Sequence, residues 1–180
     1  MKLSPGRHLV IIGIALTIIL IPGIAIAQSG EIDALGSPDI SVYLPDNEVT
    51  PGSETTISLQ LDNEGDFERG NAADREIVTT ARGLSVDLDA SGTPIRVTTG
   101  TKSIGQLSES QPRTTDFNVE IPDSVEPGRY ELNVDMEYAY TNKARSGPNI
   151  RAQTSESSRS VSKTVTVRVT DDPRFEVTEV

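Results

Sequence analysis

The chain has 180 residues, 27 of them acidic against 16 basic, and a formal net charge of −11, with one histidine and neither cysteine nor tryptophan. The histidine, His8, precedes Ala27, so everything after Ala27 lacks both imidazole and thiol. That excludes Ser-His-Asp and Cys-His nucleophilic centres, Cys/His zinc sites and disulfides from this part of the chain.

The chain opens with Lys2 and Arg7, an apolar run from Leu9 to Leu20, a Pro22-Gly23 break and the small-residue pattern Ala25-Ile26-Ala27. Charge, apolar core and small residues in that order predict a signal peptide over 1–27, cleaved between Ala27 and Gln28. The competing reading is an uncleaved membrane anchor, because Leu9 to Ala27 is 19 residues, long enough to span a bilayer. Both predict export through the Sec or Tat route to the cell surface or beyond. The basic residues precede the apolar run, so membrane contact is confined to this N-terminal segment.

Residues 28–37 are expected to be a polar linker. Strand signals follow. Ile40, Val42 and Leu44 alternate with Ser41 and Tyr43, and Ile57, Leu59 and Leu61 alternate with Ser58 and Gln60. Asp62 to Arg75 is expected to be a polar loop, followed by a strand from Glu76 to Leu88 with a bulge at Arg82-Gly83. Ile95 to Val97 is a short strand, Lys102 to Gln111 a connection, and Phe117, Val119 and Ile121 mark the next strand. The cleanest alternation sets Tyr130, Leu132, Val134, Met136, Tyr138 and Tyr140 against Glu131, Asn133, Asp135 and Glu137. Asn142 to Ser160 is expected to be a polar loop, and Val161 to Val169 the last strand. Seven short strands with no helix beyond the signal predict an all-β fold. The predicted architecture is an immunoglobulin-like antiparallel β-sandwich over 38–170, preceded by the N-terminal hydrophobic signal helix. In such sandwiches a tyrosine opening the sixth strand bonds back across a corner, and Tyr130 after Pro127-Gly128 stands where that residue would be. Residues 171–180 are expected to be a linker and the start of a second module, since Pro173 to Val177 echoes Pro38 to Val42.

Asp62, Glu64, Asp66 and Glu68 form the one cluster with metal-ligand spacing, and are candidate calcium ligands. Phe67 stands where an EF-hand loop needs glycine, and a solvated loop in an acidic protein is the plainer account. No catalytic residue and no other cofactor are expected. With no basic stripe to displace counterions, nucleic acid is not expected as a partner.

Val49-Thr50-Pro51-Gly52, Leu61-Asp62-Asn63-Glu64-Gly65, Ser103-Ile104-Gly105-Gln106-Leu107, and Ile121-Pro122 through Pro127-Gly128-Arg129-Tyr130 carry a family resemblance. On these turns and strand ends the block from Pro38 to Thr170 resembles the S-layer-like modules of archaeal envelope proteins. Those are similar to the cell-adhesion-related domain of bacteria (CARDB) and to the sandwich domain of some α-galactosidases. The resemblance implies a non-enzymatic structural or adhesion module of the cell envelope. Its expected partners are other envelope proteins, tandem modules of the same type, or surface glycan. An accessory binding domain for carbohydrate or for a membrane-protein assembly is the alternative.

The charge pattern resembles that of haloarchaeal proteins. All 27 acids follow Ala27, while Lys2 and Arg7 precede it, so cleavage shifts the formal net charge from −11 to −13. Repulsion at this density is screened within roughly 3 Å at 1 M salt. The protein is therefore expected to loosen or unfold below about 0.5 M NaCl. Melting followed by circular dichroism from dilute to multimolar NaCl checks this, and a salt-independent melting temperature contradicts it.

Overall fold

The computed structural model describes residues 33–147 and 150–170, so the signal segment 1–27 and the second-module segment 171–180 lie outside the described residues. The elements in chain order are β1 (Ala34–Ser37), β2 (Ile40–Tyr43), β3 (Glu48–Val49), β4 (Ser53–Asn63), β5 (Asp66–Arg69), α1 (Ala72–Thr79), β6 (Ala81–Asp89), β7 (Arg96–Val97), β8 (Lys102–Leu107), β9 (Arg113–Ile121), β10 (Gly128–Gly147) and β11 (Ile150–Val169). The described residues are mostly strand, and they fold as an all-β sandwich. Among them no helix is long and apolar enough to cross a membrane.

Alternation builds the two layers. One sheet has the order β2-β4-β9-β7, and its inward residues include Ile57, Leu59, Leu61, Phe117, Val119 and Ile121. The other sheet is built around β10, which pairs along its whole length with β11 and, over Asn133 to Ala139, with β6. Leu84, Val86, Leu132, Val134, Val165 and Val167 point inward from this sheet, and both sets belong to one apolar core. Removing these side chains from water supplies the main driving force for folding.

All seven expected strands are present, and the bulge is where the glycine placed it. Gly83 has φ +59, and the pairing of β6 with both β8 and β10 shifts register across it. The Tyr130 hydroxyl donates to the Glu126 carbonyl at 2.8 Å, closing the corner that leads into β10.

Four expectations are corrected. The loop expected over Asp62 to Arg75 and the start of the following strand contain β5 and α1 instead. The β-branched run Ile77 to Thr80 favours strand, but Val78 is drawn into a small core with Ala34 and Ala144, with Phe67 against it. Gly36 permits this approach, since a Cβ there would lie 2.8 Å from Val78 Cγ2. Ala34–Ser37, expected in the linker, is β1, held between β10 and β5. The connection Lys102–Leu107 is β8, an outer strand on β6. The loop expected over Asn142 to Ser160 is the far half of a ribbon whose two strands are 20 residues each. Its β11 side is exposed on both faces from Arg151 to Glu156, so it carries no alternation for a sequence to display.

The sheet built around β10 thus branches at that strand. Beyond β10 the near half continues through β6 to β8, and the far half through β1 to β5. The far half is tied to the chain by Asp33, which sits 2.7 Å from both Arg145 Nε and Lys143 Nζ. The Arg145 guanidinium first, and then the Lys143 ammonium, hold the Asp33 carboxyl well below the usual carboxylate range. A depressed folded pKa gives stability that is complete above the unfolded value of 3.8 and lost as pH falls through the folded one. Asp33→Asn is therefore expected to lower the urea midpoint slightly at pH 6, with the difference from wild type shrinking as pH drops below about 4. Molar salt should shrink it too, because the pairs face solvent.

Candidate functional site

The end of the sandwich where the two sheets meet the far half of the ribbon is organised by one buried amide. Asn63 closes β4 and is 3% exposed. Its Nδ2 donates to the carbonyls of Thr79 (2.8 Å) and Leu107 (3.0 Å). Its Oδ1 accepts from the backbone N–H of Asp39 (3.0 Å) and of Gly65 (3.1 Å). Both amide protons and both oxygen lone pairs are used, the full capacity of the side chain. Glu64 N–H also donates to the Asp39 carbonyl at 2.9 Å, locking the two turns together. Gly65 sits at φ +62, a region side chains disfavour, and a Cβ there would run into the Glu109 carboxylate.

Glu109 in turn binds Arg75 of α1, whose Nε lies 3.1 and 2.9 Å from the two carboxylate oxygens. The Arg75 guanidinium also stands 5.4 Å from the centre of the Phe67 ring. Asn63 and the Arg75–Glu109 pair thus fasten α1, the end of β8 and both turns to the sandwich.

On the other side of the turns an open cavity of about 480 Å³ is lined by Ser37, Pro38, Asp39, Glu64, Gly65, Asp66 and Arg159. Arg159, on β11, lies 5.2 Å from the centre of the Tyr140 ring and donates to its hydroxyl at 3.2 Å. Burial pushes the Tyr138 phenol up, and the nearby Arg159 charge pulls it part of the way back. The cavity therefore has rigid turns on one wall and an oriented guanidinium on another. Such an arrangement offers hydrogen bonds and charge to a polar ligand.

The four candidate calcium ligands are dispersed. Asp62 is on β4, opposite Ser41, and accepts from Gln60 Nε2 at 2.9 Å. Glu64 is in the turn, and Asp66 and Glu68 are on β5 in the other sheet. Among the described residues no three Asp, Glu, His or Cys side chains come together as a metal-holding group. Of the few aromatic side chains, Tyr43 is exposed (48%). It borders a shallow cavity with Pro45, Gln60, Asp62 and Glu109. Sequence reasoning marked Leu61 to Gly65 as a strand end. It missed that Asn63 is the tie, and it missed Arg75 and Arg159 altogether.

Asn63→Ala leaves two N–H and two C=O groups in search of partners, and is expected to cost about 3 kcal/mol or more in urea denaturation. Asn63→Asp should be worse at neutral pH, because a carboxylate oxygen then faces the Thr79 and Leu107 carbonyls. Its deficit should narrow on acidification, when the protonated acid can donate one bond.

No protein-family model matches the chain, and no curated protein does. Among solved structures the chain is similar to the sporulation control protein Spo0M of Bacillus subtilis, at 13% identity and a TM-score of 0.31. The match covers 78% of this chain and 51% of that one, so this chain spans about half the length of the protein it matches.

Proposed function

We propose that this chain is an exported, non-enzymatic structural or adhesion module of the cell envelope, built on an immunoglobulin-like sandwich and adapted to high salt. The observation that carries the reading is strand order. One layer runs β2-β4-β9-β7, the other runs β11-β10-β6-β8, and β3 lies parallel to β11 at its edge. Four strands facing a three-strand set with one addition supports the immunoglobulin-like reading, and so does the Tyr130–Glu126 corner bond at the entry to β10. The turns and strand ends that carry the S-layer-like and CARDB-like resemblance, among them Pro127-Gly128-Arg129-Tyr130, belong to this sandwich.

Two like-charge pairs support the salt adaptation. Glu54 stands directly opposite Glu120, and Asp87 directly opposite Asp135. Opposed like charges on neighbouring strands destabilise a sheet in dilute solution. Short hydroxyl side chains soften this, Thr101 donating to Asp87 at 3.1 Å and Ser162 to Asp135. The action proposed is passive, a stiff acidic scaffold presenting edges and loops to other envelope proteins or tandem modules. The proposed action needs neither a catalytic residue nor calcium at Asp62, Glu64, Asp66 and Glu68.

The alternative, an accessory domain that binds carbohydrate or a membrane-protein assembly, draws on the cavity beside Arg159, whose hydrogen-bonding walls suit a polyhydroxylated ligand. A glycan array in molar salt separates the two readings. Export itself is tested in cells carrying the chain with a C-terminal epitope. The protein is expected in the envelope or medium fraction with Gln28 as its first residue by mass spectrometry, or in the membrane with the leader retained. Accumulation in the cytosol overturns the proposal.

A further inference from the structure

We infer that β1, β5 and α1 form a flap that opens as one unit from the long ribbon while the sandwich stays folded, with Asn63 as the clasp at its hinge. The chain passes between flap and sandwich at three places. It leaves β1 for β2 through Pro38-Asp39, enters β5 from β4 through Glu64-Gly65, and leaves α1 for β6 through Thr80. Asn63 bonds beside all three, at the Asp39 N–H, the Gly65 N–H and the Thr79 carbonyl. Its fourth bond anchors the clasp to the sandwich, at the Leu107 carbonyl that ends β8. Hinges are a few residues at element ends that absorb the backbone change. Here one side chain gathers all three of them.

The flap holds together internally. Its elements interlock at two glycines. A Cβ on Gly36 of β1 would lie 2.8 Å from Val78 Cγ2 of α1, and one on Gly70, between β5 and α1, would lie 2.6 Å from Ala34 Cα. Three rungs join β1 to β5, and the Arg75 guanidinium of α1 stands over the Phe67 ring of β5.

The apolar seat of the flap is small. β1 meets β10 at two rungs, Ala34 to Ala144 and Leu35 to Lys143. The cluster beneath α1 is Ala34, Val78 and Ala144, with Phe67 against it. Once Ala144 is lost the remainder has no core to fold around, and a helix of 8 residues is marginal alone. Detachment and loss of structure in the flap are therefore one event. The sandwich keeps its whole interior through that event, because no residue of β1, β5 or α1 belongs to the large core cluster. Opening frees the β10 edge at Lys143 and Ala144 and turns Val78 out to solvent. It requires neither export nor an envelope, so it stands or falls apart from the proposed function.

Native-state hydrogen exchange in molar NaCl, at a series of low urea concentrations, is the test. Amides of α1 and of the β1–β5 ladder are expected to exchange through one shared opening, at least about a hundredfold more populated than the one that frees β4, β9 and the near half of β10. The urea dependence of that opening should be the smaller, since it exposes less surface. Val119→Ala, in the sandwich core, should speed exchange of the core amides at least about tenfold and leave the flap amides unchanged, because the sandwich is intact on both sides of flap opening. Val78→Ala should speed both sets about equally, because its contacts are lost in flap opening and in global unfolding alike. Where either variant does not fold, the urea slopes of the wild type decide. Flap amides as slow as the core and with the same urea slope, flap amides with no slope in common, or flap amides sped by Val119→Ala as much as the core overturn the inference.

Discussion

The far half of this fold depends on a neutral amide placed where two sheets, a helix and two turns converge. A sandwich closes easily along its strands and with more difficulty at its ends, where chain leaving one layer must satisfy its backbone groups before joining the other. Asn63 solves this for four chain segments at once, with partners at Asp39, Gly65, Thr79 and Leu107. A charged side chain there would carry a desolvation penalty that a neutral one avoids. Fixing these points sets the turn Ser37–Asp39 against Glu64–Asp66, and with it the wall of the cavity beside Arg159 and the position of β5.

What the sequence made legible was burial on one face. Strands such as β4, β9 and the near half of β10 alternate because one side meets the core and the other meets solvent. The far half of the ribbon is wet on both sides of β11, so hydroxyls and charges follow one another without period and resemble a loop. α1 is short and buries little apolar surface besides Val78, too small a stripe for helical periodicity to register against a β-branched run. β1 is made of Ala, Leu, Gly and Ser, whose small side chains let Val78 approach and give no strand signal of their own.

The candidate site was legible only as composition. The spacing Asp62, Glu64, Asp66, Glu68 looks like one cluster in sequence, but Asn63 ends β4 and Gly65 turns the chain into the other sheet, so Asp62 on β4 and Glu68 on β5 belong to different layers and no three of the four meet as a metal-holding group. The bonds of Asn63 reach carbonyls 16 and 44 residues away. A carbonyl is present at every residue, so no residue type could mark those partners. Asn two positions before a turn glycine was the available hint, and it pointed to the turn alone.

The branch at β10 divides the molecule by stability. The near half shares the large core between the sheets, while the far half has Ala34, Val78, Ala144 and part of Phe67. A core of that size does not hold a helix and two short strands in place alone. The far half therefore relies on the long ribbon for its frame, and on Asn63, the Arg75–Glu109 pair and Asp33 for attachment. Two of those three ties are ionic and reach solvent, and they weaken as salt rises. In the sandwich below salt acts in both senses, relieving the directly opposed Glu54–Glu120 and Asp87–Asp135 carboxylates and weakening the exposed Arg96–Glu120 bridge at 2.6 Å. Rising salt therefore shifts the load of the far half onto the one tie that salt leaves untouched, the buried amide of Asn63. A neutral residue at that position is what lets both halves tolerate one solvent.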